Sequence, residues 1–168
     1  NKYMQLAIDE ARNGINNGHG GPFGCVIVKD GEVIAKGHNH VLDKNDPTCH
    51  GEIDAIRKAC KKLDTFDLSG CELYTTGQPC PMCFCACLWA NISKIYYGCS
   101  LKDNERIGFR DKKFERILNN KDSINKMLDL NVDNIITDDV DLARKLLFES
   151  KSSNLVFVYL KMIEEIFR

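Results

Sequence analysis

Two short segments concentrate the residues able to do chemistry, His50-Gly51-Glu52 and Pro79-Cys80-Pro81-Met82-Cys83. Each stands where a strand or loop hands over to a helix. Cys80 and Cys83 are one helical turn apart, so both sulfurs can reach a single ion, and the partial positive charge of a helix N-terminus favours their thiolate forms. His50 supplies a nitrogen from the other helix start. Two cysteines and one histidine leave one tetrahedral position of a zinc ion for water, the arrangement of a catalytic rather than a closed structural site. One Zn2+ per chain is expected, with the pKa of its water lowered towards about 7. Glu52, two residues after His50, faces away from the direction in which His50 bonds. It is expected beside that water, acting as general base and then as general acid.

Other readings of these residues stay open. A Cys-x-x-Cys pair also occurs as a structural zinc half-site or as a redox pair. A structural site needs a fourth ligand, for which His38, His40, Cys85 and Cys87 are available. Such a site has no use for a carboxylate beside an open coordination position, so Glu52 favours catalysis over a non-catalytic, zinc-stabilised interaction domain. Cys25, Cys60, Cys85, Cys87 and Cys99 read as small apolar residues, with Cys85 and Cys87 in a buried helix. His19, in a glycine-rich stretch, reads as a solvated turn residue, and core packing claims Phe23 and Trp89.

The elements that must position these groups follow from periodicity. Leu6, Ala7, Ile8, Ala11 and Ile15 give a first helix, stopped by Asn16-Asn17-Gly18-His19-Gly20-Gly21-Pro22. Strands over Phe23 to Val28 and Val33 to Val41 flank the hairpin turn Lys29-Asp30-Gly31. A second helix runs from about His50 to Leu63, a third strand from Cys71 to Thr76, a third helix from Pro81 to about Ala90, and a fourth strand from Ile92 to Gly98. Leu101 to Lys126 is a helical or loop excursion, Ile135-Ile136 a candidate last strand, and Asp138 to Ser150 and Leu155 to Arg168 are helical. Strands alternating with helices after a hairpin imply a three-layer α/β/α sandwich around a mixed, mostly parallel sheet.

Composition bounds the function. The chain has 168 residues, a formal net charge of −1 and 43% hydrophobic residues, enough to fill one core. Residues 1–168 read as a single domain, with 138–168 a C-terminal helical segment. Near-neutral charge argues against nucleic acid as the main partner, although Lys102 to Lys121 forms a modestly basic stretch. The apolar runs are too short to span a bilayer. Nine cysteines, an odd number at irregular spacings, fit a reducing cytoplasm better than a disulfide framework.

The pattern His-x-Glu followed by Pro-Cys-x-x-Cys is the signature of zinc deaminases, and the chain resembles the cytidine deaminase-like superfamily. Within it, the bacterial guanine deaminases are the nearest likeness. The resemblance covers about Met4 to Glu115. It includes Gly20-Gly21-Pro22-Phe23-Gly24, Val26 to Gly31, Asn45-Asp46-Pro47-Thr48, Ala55 to Ala59, and Gly108-Phe109 with Asp111. It implies a five-stranded sheet, a homodimer exchanging C-terminal segments, and hydrolytic deamination of a free nucleobase, guanine giving xanthine and ammonia. By the same resemblance His50, Cys80 and Cys83 hold zinc, Glu52 moves protons, Asn39 hydrogen-bonds the base and Asp111 contacts the purine. Tyr159 is the one tyrosine available in the tail for the base. His-Gly-Glu and Thr75-Thr76 also resemble fungal cytosine deaminase, so cytosine, another aminated heterocycle or a tRNA adenosine are rival substrates.

Overall fold

The structure, a computed structural model, describes residues 1–119. The chain divides into two compact units, Asn1–Phe114 and Glu115–Arg168. Every expected site residue except Tyr159 lies in the first. The strand expected at Ile135-Ile136, the helices over 138–168, the exchange of C-terminal segments and Tyr159 all fall outside the described residues.

The elements follow the expected order: α1 (Lys2–Asn16), β1 (Gly24–Lys29), β2 (Glu32–His38), α2 (Gly51–Leu63), β3 (Cys71–Gly77), α3 (Pro81–Trp89), β4 (Lys94–Cys99), α4 (Leu101–Arg106) and α5 (Asp111–Leu118). Helix α1 starts at Asn1, whose side chain accepts the Tyr3 N–H at 2.9 Å. The β1–β2 turn places Asp30 and Gly31 at φ 50° and 81°, the left-handed pair that a two-residue hairpin requires.

Among the described residues, four strands form one sheet in the order β2-β1-β3-β4. β1 pairs antiparallel with both β2 and β3, while β3 and β4 pair parallel. Strands β2, β3 and β4 therefore run one way and β1 the other, a mixed sheet as expected. The neighbours differ from a simple succession: α2 carries the chain past β1, so β1 separates β2 from β3. Burial explains the placement. Cys25, Val26, Ile27 and Val28 are all buried, so β1 cannot sit at an edge and shows the near-continuous apolar run of a strand covered on both faces.

Side chains of β1 alternate between two cores. Cys25 and Ile27 join Leu73, Ala55, Ala59 and Cys87 on the side of α2 and α3, whereas Val26 and Val28 join Tyr74 and Ala7 on the side of α1. These are the three layers. The helices approach the sheet on small residues, Ala7, Ala11 and Gly14 on α1 and Gly51, Ala55 and Ala59 on α2. A Cβ on Gly37 of β2 would stand 2.5 Å from the Ala55 nitrogen and 2.6 Å from the Gly51 carbonyl oxygen. That glycine sets how closely the first turn of α2 lies on the sheet.

Two expectations are corrected. Helix α3 buries Cys83 and Cys87 but leaves Met82, Phe84, Leu88 and Trp89 exposed, Trp89 at 85%, so it is not a buried helix and Trp89 is not core. Cys85 and Cys99 are exposed as well. No helix among the described residues is long and apolar enough to cross a membrane. Gly37→Ala is expected to destabilise the protein by about 1–3 kcal/mol in urea denaturation, as overpacking against backbone does. Lys36→Ala next to it, on an exposed position, is expected to change stability by less than about 0.5 kcal/mol.

Candidate active site

Helices α2 and α3 begin side by side, and the residue before each has the same extended backbone: His50 at φ −72°, ψ 164° and Cys80 at φ −65°, ψ 165°. Both occupy the N-cap position, and neither side chain caps its own helix. Their carbonyls instead open the helices, accepting Asp54 N–H and Phe84 N–H at 2.9 Å each. The imidazole and the thiol are thus released to point at one another, with His50 Nδ1 3.6 Å from Cys80 Sγ. Cys83 follows one turn into α3, where Pro81 fills the first-turn position that needs no N–H. Donor atoms of His50, Cys80 and Cys83 all lie within 4.8 Å of one another.

Electrostatics suits a cation here. A hydrogen bond from Cys83, helped by one from His50, holds the Cys80 thiol down to about 4, against the opposing effect of burial. The same contact and burial push Cys83 up, so one proton is shared between two sulfurs. His50 is raised, chiefly by the Cys80 sulfur. Two sulfurs and one imidazole in tetrahedral reach, with thiolate already favoured, are the donor chemistry of a zinc site that keeps its fourth position open. His38, His40, Cys85 and Cys87 are not in this set.

Glu52 is the second residue of α2 and is 6% exposed. Burial is the main cause of its raised pKa, and it also contacts the Cys83 thiol. Thr75 Oγ1 donates to Glu52 Oε1 at 3.4 Å. Sequence reasoning gave Thr75 no role. The signal was present, since Cys71, Leu73 and Thr75 share one face of β3 and a polar residue ends that buried row.

Asn39 is 5% exposed. Its Oδ1 accepts N–H groups from Gly21 at 3.3 Å and Val41 at 3.1 Å. Two backbone donors fix which way the amide faces, so its NH2 is the end that can donate to a ligand. Asp111, the first residue of α5, is half-buried. Its pKa is raised by burial and by the Cys80 sulfur, with His50 opposing. The carboxylate of this same chain therefore feels the field of the His50–Cys80 pair. Phe23 and Phe109, both half-buried, meet edge to face at 4.6 Å beside Gly21. The sequence assigned Phe109 no function, and the contact with Phe23 singles it out.

Comparison with known proteins agrees with this geometry. Residues 1–99 match the family model "Cytidine and deoxycytidylate deaminase zinc-binding region". A guanine deaminase of Bacillus subtilis is 49% identical over 109 residues, 65% of this chain and 70% of that one. Its crystal structure superposes with a TM-score of 0.67, covering 68% of this chain and 73% of the other at 46% identity. A tRNA-specific adenosine deaminase of Aquifex aeolicus is 43% identical, over 57% of this chain and 63% of its own length. A further relative, solved in complex with 2,6-diaminopurine, is 36% identical with a TM-score of 0.61, over 64% of this chain and 60% of that one. On the match over residues 1–99 and the donor set at the two helix starts, the chain belongs to the zinc-dependent cytidine and deoxycytidylate deaminase family.

Proposed function

We propose that this protein hydrolytically deaminates a free purine base, guanine to xanthine and ammonia. The observation that supports it most is a buried carboxylate, Glu52, set against a three-donor metal set. His50, Cys80 and Cys83 would hold a zinc ion, which when bound would supply the Lewis acidity needed to make water nucleophilic near neutral pH. Glu52 takes one proton of the attacking water and passes it to the ring nitrogen next to the amino-bearing carbon. It then takes the second proton, from the newly added hydroxyl, and passes it to the amine, so that the carbon–nitrogen bond breaks, ammonia leaves and the hydroxyl becomes the product carbonyl. Its raised pKa suits a group that must hold a proton between those transfers. The Asn39 NH2, with its oxygen already committed to Gly21 and Val41, donates to a carbonyl or ring nitrogen of the base. Asp111 pairs with the N–H edge of the purine. Phe23 and Phe109 form an apolar wall for the flat ring.

The guanine deaminase of Bacillus subtilis and the relative solved with a diaminopurine favour this substrate class. Deamination of tRNA adenosine is the second reading, supported by the Aquifex aeolicus likeness. A net charge of −1 weighs against it, because polyanion binding calls for basic excess. The working form we propose is a cytoplasmic homodimer. The exposed apolar face of α3, with Met82, Phe84, Leu88 and Trp89, is the kind of patch that a second copy covers, and nine free cysteines suit a reducing compartment.

Ammonia release from guanine, adenine, cytosine and an anticodon stem-loop RNA tests the substrate. Guanine is expected to be turned over fastest, and far faster release from cytosine or from the RNA would defeat the assignment. Cys80→Ser is expected to lose zinc by metal analysis. Glu52→Gln is expected to retain zinc while kcat falls by at least about 100-fold; near-normal turnover would remove Glu52 from the proton transfers. Asn39→Ala and Asp111→Ala are each expected to lower kcat/KM for guanine at least about tenfold, roughly 1.4 kcal/mol, with zinc retained. In sedimentation, Trp89→Glu is expected to convert dimer to monomer.

A further inference from the structure

A second donor cluster stands apart from the first. His19, His38 and His40 come from the loop after α1, the end of β2 and the residue two further on. Their ring centroids are 4.2–5.1 Å apart, and one ring nitrogen from each lies within 4.8 Å of the others. His38 is 5% exposed and His40 9%; His19 is half-buried, not the solvated turn residue expected from its setting. His19 Nδ1 and His38 Nε2 approach to 2.8 Å. Tetrahedral zinc with Zn–N of about 2.0–2.1 Å separates its ligand nitrogens by about 3.3 Å, inside the range this cluster spans.

The far side of each buried ring is already fixed. His38 Nδ1 donates to Glu10 Oε2 at 3.2 Å, and His40 Nδ1 donates to both oxygens of Asp43 at 3.0 Å. A proton held on Nδ1 leaves the Nε2 lone pair of each ring turned into the cluster. This is the carboxylate–histidine arrangement that orients imidazoles on a metal. His40 Nε2 also faces Asp54 Oδ2 at 3.7 Å, and Lys58 answers that carboxylate at 2.7 Å. Glu10, Asp43 and Asp54 thus stand against imidazoles whose ring nitrogens converge on one point.

We propose that His19, His38 and His40 form a second metal site, taking a divalent first-row transition ion such as Zn2+ through His19 Nδ1 and the Nε2 atoms of His38 and His40. Imidazole donors without thiolate suit Zn2+, Co2+, Ni2+ and Cu2+. The ion fastens the loop that carries Gly21 to the end of β2, with Asn39 between two of its ligands. Its role is structural, and the site stands whether or not the deaminase reading of the first cluster holds.

The test uses the full chain, stripped by a chelator and titrated with Co2+, with equivalents bound and the absorption spectrum as readouts. Wild type is expected to bind two equivalents, of which one gives a thiolate-to-cobalt charge-transfer band. Cys80→Ser is expected to lose that band and keep one equivalent on the histidines. His19→Ala, a loop substitution, is expected to keep the band and lose the other equivalent. Asp43→Asn, which leaves all ligands in place, is expected to weaken the second equivalent about 10–100-fold. A wild type that binds one equivalent, all of it sensitive to Cys80→Ser, overturns the site. Survival of the second equivalent at full affinity in both His19→Ala and His38→Gln also overturns it.

Discussion

The structure depends on bringing two helix N-termini to one point at the end of the sheet. Each N-terminus carries unpaired N–H groups and a partial positive charge, and setting two together is costly unless something negative stands between them. Here the Cys80 thiol is held low and Glu52 lies against Cys83, so the negative partners are the chemical groups themselves. The approach is made possible by absent side chains. Gly37 and Gly51 let α2 lie on β2, and any larger residue at position 37 would move His50 and Glu52 together.

The same closeness accounts for the charge behaviour of the cluster. Glu52 is removed from water by the sheet beneath it, which raises its pKa, and the Thr75 hydroxyl donates to its side chain. A buried carboxylate without partners is expensive. It is retained here beside sulfur, hydroxyl and imidazole groups because they answer it on several sides. Stability at this end of the molecule is spent on holding reactive groups in place, and the apolar cores on the two faces of β1 supply the rigid base.

Asn39 shows how one residue can belong to two arrangements. Its oxygen is held by the backbone of the glycine-rich loop and of Val41, and its neighbours His38 and His40 turn their rings into a separate cluster with His19. Alternation along an extended chain puts positions 38 and 40 on one side and position 39 on the other. The segment Gly37-His38-Asn39-His40 thus presents an amide to one face and two imidazoles to the opposite face.

Local sequence determined a good deal. The spacing of Cys80 and Cys83, the Pro81 start, the His50-Gly51-Glu52 order and the two-residue turn at Asp30-Gly31 are statements about chemistry within one turn or one hairpin, where few arrangements are possible. For that reason the convergence of His50, Cys80 and Cys83 and the order of elements up to Cys99 were legible, with boundaries off by up to three residues, the largest at the end of β2. Tertiary structure decided the rest. Only the assembled sheet placed β1 between β2 and β3, because which strand needs cover on both faces depends on what packs above and below it. Whether an apolar helix is buried cannot be read from its own residues, and α3 leaves Trp89 exposed for want of a covering layer among the described residues. His19 lies 19 residues from His38, a separation that no local rule closes, so the three-histidine cluster came into view only once α1 and β2 had folded against one another.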